Sequence, residues 1–250
     1  MYAMNEKSIR LGLIGKDVSK SDSRRIHTFI LREWGYDCAY EQFSVSTENF
    51  DAAIRTLMGD FDGFNVTIPY KRDVFCYLDE IVGDALVCGA VNTVVTATAT
   101  GYNTDGVGFM QMLQDAGVCV AGKRVLVLGA GGAGRSTATA LKKAGATVFM
   151  YRRNRAELEE TCAQLGVTAA DNPNAGGYDI LVNTTGVGMR LSQQARSLRT
   201  SFRRIFPLRL GSSTSTMRPR LSFRRRVLTR RLRSRAIDTA KVRAIISTAR

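Results

Sequence analysis

A strand, a glycine loop and a helix in immediate succession constrain this 250-residue chain more than any other feature. Arg124–Leu128 reads RVLVL, an apolar strand, and GAGGAG follows at 129–134. A helix is predicted from about 135 to 144, with Gly145 as its stop. Gly129, Gly131 and Gly134 fall on the GxGxxG spacing, with Ala130, Gly132 and Ala133 filling it. The first glycine permits a tight turn, the second lets backbone approach a pyrophosphate, and the third allows close helix–sheet contact. The helix N-terminus then faces the phosphates with amide N–H groups and the positive end of its dipole. The plain alternative is a glycine-rich turn in some other α/β protein. A strand before the loop and a helix after it favour the dinucleotide.

The pattern continues as a strand at Thr147–Tyr151, a helix at Arg155–Leu165 and a strand over 178–183. This βαβαβ unit is half of a doubly wound nucleotide-binding fold. An NAD site would carry Asp or Glu near the end of the second strand to hold the ribose hydroxyls. Here that strand ends in Tyr151, Arg152, Arg153 and Asn154. Two guanidiniums suit a 2′-phosphate, because the planar fork of Arg matches phosphate oxygens. NADP is the expected cofactor, and a solvated arginine pair is the alternative.

Upstream, short apolar runs alternate with helical spacing. Strands are predicted at 11–15, 38–43, Gly63–Val66 and 90–95, and helices at 24–34, 48–58, 71–78 and 105–116. Such alternation predicts a parallel sheet with helices on both faces. Within this part lies NVTIPYK at 65–71, where Pro69 turns the chain out of the sheet and sets Thr67 and Lys71 at its C-terminal rim. In open α/β sheets that rim is where ligands sit. Farther on come GAVNT at 89–93 and YNTDG at 102–106, each placing an amide or a carboxylate beside a turn. Alone, each is an ordinary turn with capping residues; together they point to a site.

NVTIPYK, GAVNT, YNTDG and GAGGAGR, in this order and spacing, resemble the shikimate dehydrogenase family with its quinate/shikimate relatives. NTTGVGM at 183–189 resembles a further stretch of that family, and the likeness covers about 8–189. The resemblance implies an N-terminal α/β substrate domain over 1–106 and a partial Rossmann-like NADP-binding domain over 107–189. It also implies NADPH-dependent interconversion of 3-dehydroshikimate and shikimate in aromatic amino-acid (chorismate) biosynthesis. Lys71 and Asp105 match the catalytic pair: the lysine exchanges a proton with the reacting oxygen, and the aspartate orients that oxygen and holds the lysine. A lysine in a closed cleft has its pKa lowered toward the working range, which suits this task. Asn92 and Thr67 match contacts to substrate hydroxyls, and Ser21 and Ser23 match two serines that bind the substrate carboxylate. Hydroxyls at i and i+2 of an extended stretch face one side. Lys20 and Arg24 stand where the family has His and Pro, and Arg152-Arg153-Asn154 stands where it commonly reads Asn-Arg-Thr. His27, the only histidine, is given no role.

After Met189 the texture changes. Residues 190–250 hold 18 of the 36 Lys and Arg, one of the 22 Asp and Glu, and one of the 23 Gly. The net charge of +14 therefore belongs to this segment, and the rest is slightly acidic. No packed fold is predicted for it. It reads as an irregular Arg-rich tail, either out-of-frame translation or a disordered basic arm. Weak turnover and poor solubility are the expected consequences. The competing functional readings are a non-catalytic nucleotide- or nucleic-acid-binding protein that uses the tail, and a nonfunctional frameshifted fragment. Nucleic acid is not the expected partner, because the body of the chain carries no basic excess. Five scattered cysteines and the absence of a signal-like N-terminus predict free thiols and a cytoplasmic protein, with no metal. No run of about 18 apolar residues predicts a membrane span. The partner expected is a small-molecule substrate, with a homodimer as the assembly in view.

Overall fold

A computed structural model describes residues 7–187, so the basic segment 190–250 and the end of NTTGVGM lie outside the described residues. The first elements are β1 (Lys7–Gly15), α1 (Ser23–Glu33), β2 (Tyr36–Ser44), α2 (Phe50–Asp60), β3 (Gly63–Val66), β4 (Glu80–Ile81), α3 (Asp84–Cys88), β5 (Thr93–Val95), β6 (Thr100–Tyr102) and α4 (Asp105–Asp115). Their strands form one sheet in the order β2-β1-β3-β5-β6-β4. Strand β1 is second from one edge, parallel to its neighbours β2 and β3. Alternate residues of β1 serve opposite faces. Ile9, Leu11 and Leu13 join Leu31 of α1 in one cluster, and Ile14 joins Ile54, Leu57 and Phe64 in another. Side chains of this kind contribute roughly 1.5–3 kcal/mol each on full burial. A Cβ at Gly12 would stand 2.8 Å from Leu57, so the glycine lets α2 lie close against the sheet.

The second group is β7 (Arg124–Leu128), α5 (Gly132–Lys143), β8 (Thr147–Tyr151), α6 (Arg155–Leu165), β9 (Thr168–Ala169) and β10 (Ile180–Asn183). These strands pair in the order β10-β7-β8-β9, all parallel. Val125, Val127, Val148, Met150, Leu141 and Leu158 make its core. Among the described residues no helix is long and apolar enough to cross a membrane.

Three expectations are corrected. The first sheet is mixed, since β5 runs antiparallel to both β3 and β6. The connection from β5 to β6 is one short 3-10 turn, Thr96–Thr98, closed by Ala99 at φ 43°. A parallel return needs a crossover of a dozen or more residues. The helix expected over 71–78 is a turn followed by a five-residue 3-10 helix, Asp73–Tyr77. Buried Tyr70 and Val74 anchor it, with the Tyr70 hydroxyl donating to Val45 O at 2.6 Å, and the chain extends again at Leu78. The strand expected from 90 begins at Thr93, because α3 runs to Cys88, Gly89 caps it in the left-handed conformation, and Val91 N donates to Lys71 O, outside the ladder.

All five cysteines are free. Burial pushes the thiols of Cys38 and Cys88 up to about 11, and that of Cys162 also upward. Since the thiolate is the reactive form, a thiol reagent at neutral pH should label Cys76 and Cys119, the two exposed cysteines, well before the other three. Mass mapping of a labelling time course checks this; early label on Cys88 would contradict it.

Candidate active site

The site starts where β3 ends. After Val66 the chain turns at Thr67, whose N–H donates to Ile14 O, and Tyr70 N closes the turn on Thr67 O at 3.0 Å. This carries Lys71 inward, and its own carbonyl is fixed by Val91 N at 2.8 Å. Asp105 arrives from the other side as the first residue of α4, with its N–H held by Asn103 Oδ1 at 3.0 Å. The Lys71 Nζ meets Asp105 Oδ2 at 2.5 Å, with the two side chains only 4% and 5% exposed. Two residues 34 positions apart thus form a buried ion pair.

Around the pair, each polar atom is placed by another. Asn92 donates through Nδ2 to Asp105 Oδ1 at 2.6 Å and to Thr104 Oγ1 at 3.0 Å. Its Oδ1 accepts from Thr104 N and from the Thr93 hydroxyl. Both amide hydrogens of Asn92 are therefore engaged, one of them by the Asp105 carboxylate. Asn103 donates to Ala90 O at 2.7 Å and accepts from the Ser136 hydroxyl at 2.7 Å, which ties the turn bearing Asp105 to helix α5.

The glycine loop lies directly beside this cluster. Gly129, at φ 102°, makes the turn after β7, and Gly131 precedes α5. A Cβ at Gly134 would stand 2.1 Å from Gly129 O, so no side chain fits there. One at Gly131 would meet nothing within 4 Å, which leaves that backbone open to an approaching group. Helix α5 begins at Gly132, three residues earlier than its sequence suggests, because the glycines form its first turn. A Cβ at Gly132 would lie 2.9 Å from Lys71 Cδ. The lysine stem therefore runs along the first turn of α5, and the N-cap Gly131 offers no side-chain acceptor to the amides there. This cradle fits a dinucleotide pyrophosphate.

Ser21 and Ser23 are brought together, though not by an extended stretch. Asp22 between them is helical, and Ser23 opens α1. The Ser21 hydroxyl donates to Ser23 Oγ at 2.9 Å. Tyr40 donates to Asn65 Oδ1 at 3.0 Å, and Asn65 Nδ2 donates to Asn92 O at 3.3 Å. Burial raises the Tyr40 phenol well above its ordinary range, so it stays a donor. Hydrogen bonds thus run from Tyr40 through Asn65 to Asn92, which bonds Asp105. Thr67 is partly exposed, its methyl against Gly15. At the end of β8, Arg152 forms an ion pair with Glu157, Arg153 is exposed, and Asn154 caps α6 by accepting from Glu157 N.

Sequence reasoning missed Tyr40, Asn65, Asn103, Ser136 and Arg135. The last is 4% exposed, donating through Nε to Cys88 O at 2.5 Å and through Nη1 to the Thr161 hydroxyl at 2.9 Å. A polar residue inside β3 and the single asparagine of YNTDG were the available signals. Nothing local marks Arg135 as buried.

A profile of the shikimate dehydrogenase substrate binding domain matches residues 13–94. A shikimate dehydrogenase (NADP(+)) of Shouchella clausii is 40% identical over 192 residues, 72% of this chain and 70% of that protein. One of Geobacter metallireducens is 40% identical over 199 residues, 72% and 69% of the two chains. Among solved structures, a Thermus thermophilus shikimate 5-dehydrogenase in complex with NADP(H) and shikimate superposes with a TM-score of 0.67 at 34% identity, covering 72% of this chain and 69% of that one. Motif order, the buried pair beside the glycine cradle, and identity at this level over more than two thirds of the relatives agree: the chain belongs to the shikimate dehydrogenase family.

Proposed function

We propose that the chain is an NADP-dependent shikimate dehydrogenase, reducing 3-dehydroshikimate to shikimate and running the reverse. The observation that carries this is the buried Lys71–Asp105 pair lying against the first turn of α5. We assign 1–106 to substrate binding and 107–189 to NADP binding. Bound NADPH supplies the hydride that reduces the ketone carbon. Lys71, as an ammonium, gives a proton to the carbonyl oxygen while that carbon is reduced, and takes it back in the reverse direction. Asp105 holds the ammonium and accepts a hydrogen bond from the product hydroxyl, and Asn92 fixes the carboxylate that does so. The Ser21 and Ser23 hydroxyls rotate from each other to donate to the substrate carboxylate, and Thr67 at the strand rim meets a ring hydroxyl. The glycine cradle from Gly129 to Gly134 takes the pyrophosphate, and Arg153 with Arg152 and Asn154 faces the 2′-phosphate. Five free thiols suit a cytoplasmic working compartment.

Proton transfer by a positioned side chain contributes ~10²–10⁴-fold. Asp105→Asn keeps the shape and the bond to Asn103 but removes the charge that holds the ammonium. Turnover of NADPH with 3-dehydroshikimate should fall by about 10²-fold or more in this variant. Steady-state rates of the purified full chain decide it; an unimpaired D105N variant would remove the pair from the mechanism.

A further inference from the structure

Three guanidiniums lie between the end of β8 and the start of α6: Arg152 and Arg153 after the strand, and Arg155 as the first residue of the helix. Two of them are already neutralised. Arg155 is held by Glu159 at 2.6 Å and by Asp171 at 2.7 Å. Arg152 is held by Glu157 through Nη1 and Oε2. The other oxygen of the same carboxylate, Oε1, accepts from Asn154 Nδ2 at 2.6 Å, and Glu157 N donates back to Asn154 Oδ1. Glu157 thus bridges the two residues that flank Arg153. Among the described residues Arg153 itself makes no ion pair, and it is exposed.

We propose that Glu157 is a specificity-determining residue, a carboxylate that competes with the 2′-phosphate for Arg152 and so lowers the discrimination between NADP and NAD. This rests on the dinucleotide reading above. A phosphate monoester carries about −1.5 to −2 charges at neutral pH. To reach Arg152 it must displace a carboxylate of like charge, and until then it meets Arg153 alone. NAD carries an uncharged 2′-hydroxyl at this position, so Glu157 sets no charge penalty on its binding. The carboxylate also braces Asn154 at the cap of α6, which explains a residue that opposes the cofactor while serving the fold. The pair is half-exposed, and the competition is therefore sensitive to salt.

The test is calorimetric titration of the full chain with NADP⁺, NAD⁺, 2′,5′-ADP and 5′-AMP, for the wild type and Glu157→Gln. Glutamine keeps an acceptor for Asn154 and removes the charge. NADP⁺ and 2′,5′-ADP should bind about five- to tenfold more tightly to the variant, and NAD⁺ and 5′-AMP should change by less than about twofold. The gain should shrink as salt is raised. Glu157→Ala, which leaves the backbone cap intact, should move the ratio in the same direction. In an Arg152→Ala background the substitution at 157 should yield less than half of that tightening. An unchanged NADP⁺ to NAD⁺ ratio, or weaker NADP⁺ binding in both variants, would overturn the inference while leaving the cofactor reading intact. A wild-type chain that binds neither dinucleotide would overturn both.

Discussion

Replacing Lys71 with methionine should lower turnover by ~10²–10⁴-fold, since the reacting oxygen loses its proton donor. The same change should also destabilise the protein. Asp105 has a side chain only 5% exposed, and without the ammonium it becomes a buried carboxylate that has lost this ion-pair partner while keeping the hydrogen bond from Asn92. Breaking a buried pair from one side costs about 3–5 kcal/mol, much of it the uncompensated charge. The two consequences separate in the double variant Lys71→Met with Asp105→Asn. Removing both charges should recover most of the lost stability, because desolvation offsets much of the Coulombic gain in a buried pair. It should recover none of the turnover. Denaturant melts and rates on the same four proteins supply the comparison. A K71M variant with full activity would refute the assigned role. A double variant no more stable than the single ones would refute the electrostatic account of the pair.

The second large effect concerns two glycines three residues apart. At Gly134 a methyl group would collide with Gly129 O at 2.1 Å, and this contact is with backbone that cannot yield without opening the loop. Overpacking of this sort costs typically 1–3 kcal/mol or more, and for a domain of this size each kcal/mol lowers Tm by about 2–4 °C. Gly134→Ala should therefore lower Tm by roughly 5–10 °C and weaken NADP⁺ binding with it. At Gly131 the methyl meets nothing within 4 Å, and φ is −78°, which alanine adopts freely. Gly131→Ala should leave Tm unchanged within about 2 °C yet weaken NADP⁺ binding at least tenfold, because the methyl occupies the space the pyrophosphate needs. Equal losses of stability in both variants, or unimpaired binding in G131A, would show that the two glycines do not divide packing and ligand approach between them.

The parts of the fold legible in the sequence are those where local pattern and tertiary demand agree. Strands β3, β7 and β8 and helix α6 fall on the residues expected, because apolar runs bounded by glycine or by a capping residue leave little freedom. The short elements β4, β9 and α3 are not legible at two to five residues each, since no periodicity develops over that length. The antiparallel turn of the first sheet depends on the brevity of 96–99, which a strand-and-helix alternation rule ignores. At the site, Lys71 and Asp105 were identifiable from motif order, and the structure brings them together. Their supports were not. Tyr40, Asn65 and Asn103 act through partners 13 or more positions away, and Arg135 reaches Cys88 O 47 positions back in the chain. In the sequence the arginines after β8 suit a 2′-phosphate; the ion pair to Glu157 of the next helix emerges only in three dimensions.

The roles proposed for Lys71 and Asp105 depend on one step, in which Lys71, held by Asp105, protonates an oxygen while hydride from NADPH reaches the adjoining carbon. A single-turnover reaction isolates it, with the full chain in excess over NADPH carrying deuterium at the transferable position of the nicotinamide ring. With 3-dehydroshikimate present, mass spectrometry of the product should find deuterium on the new carbinol carbon of shikimate, formed ~10²–10⁴-fold more slowly when K71M replaces the wild type. Unlabelled or absent shikimate from a wild-type chain that binds both ligands would rule the step out.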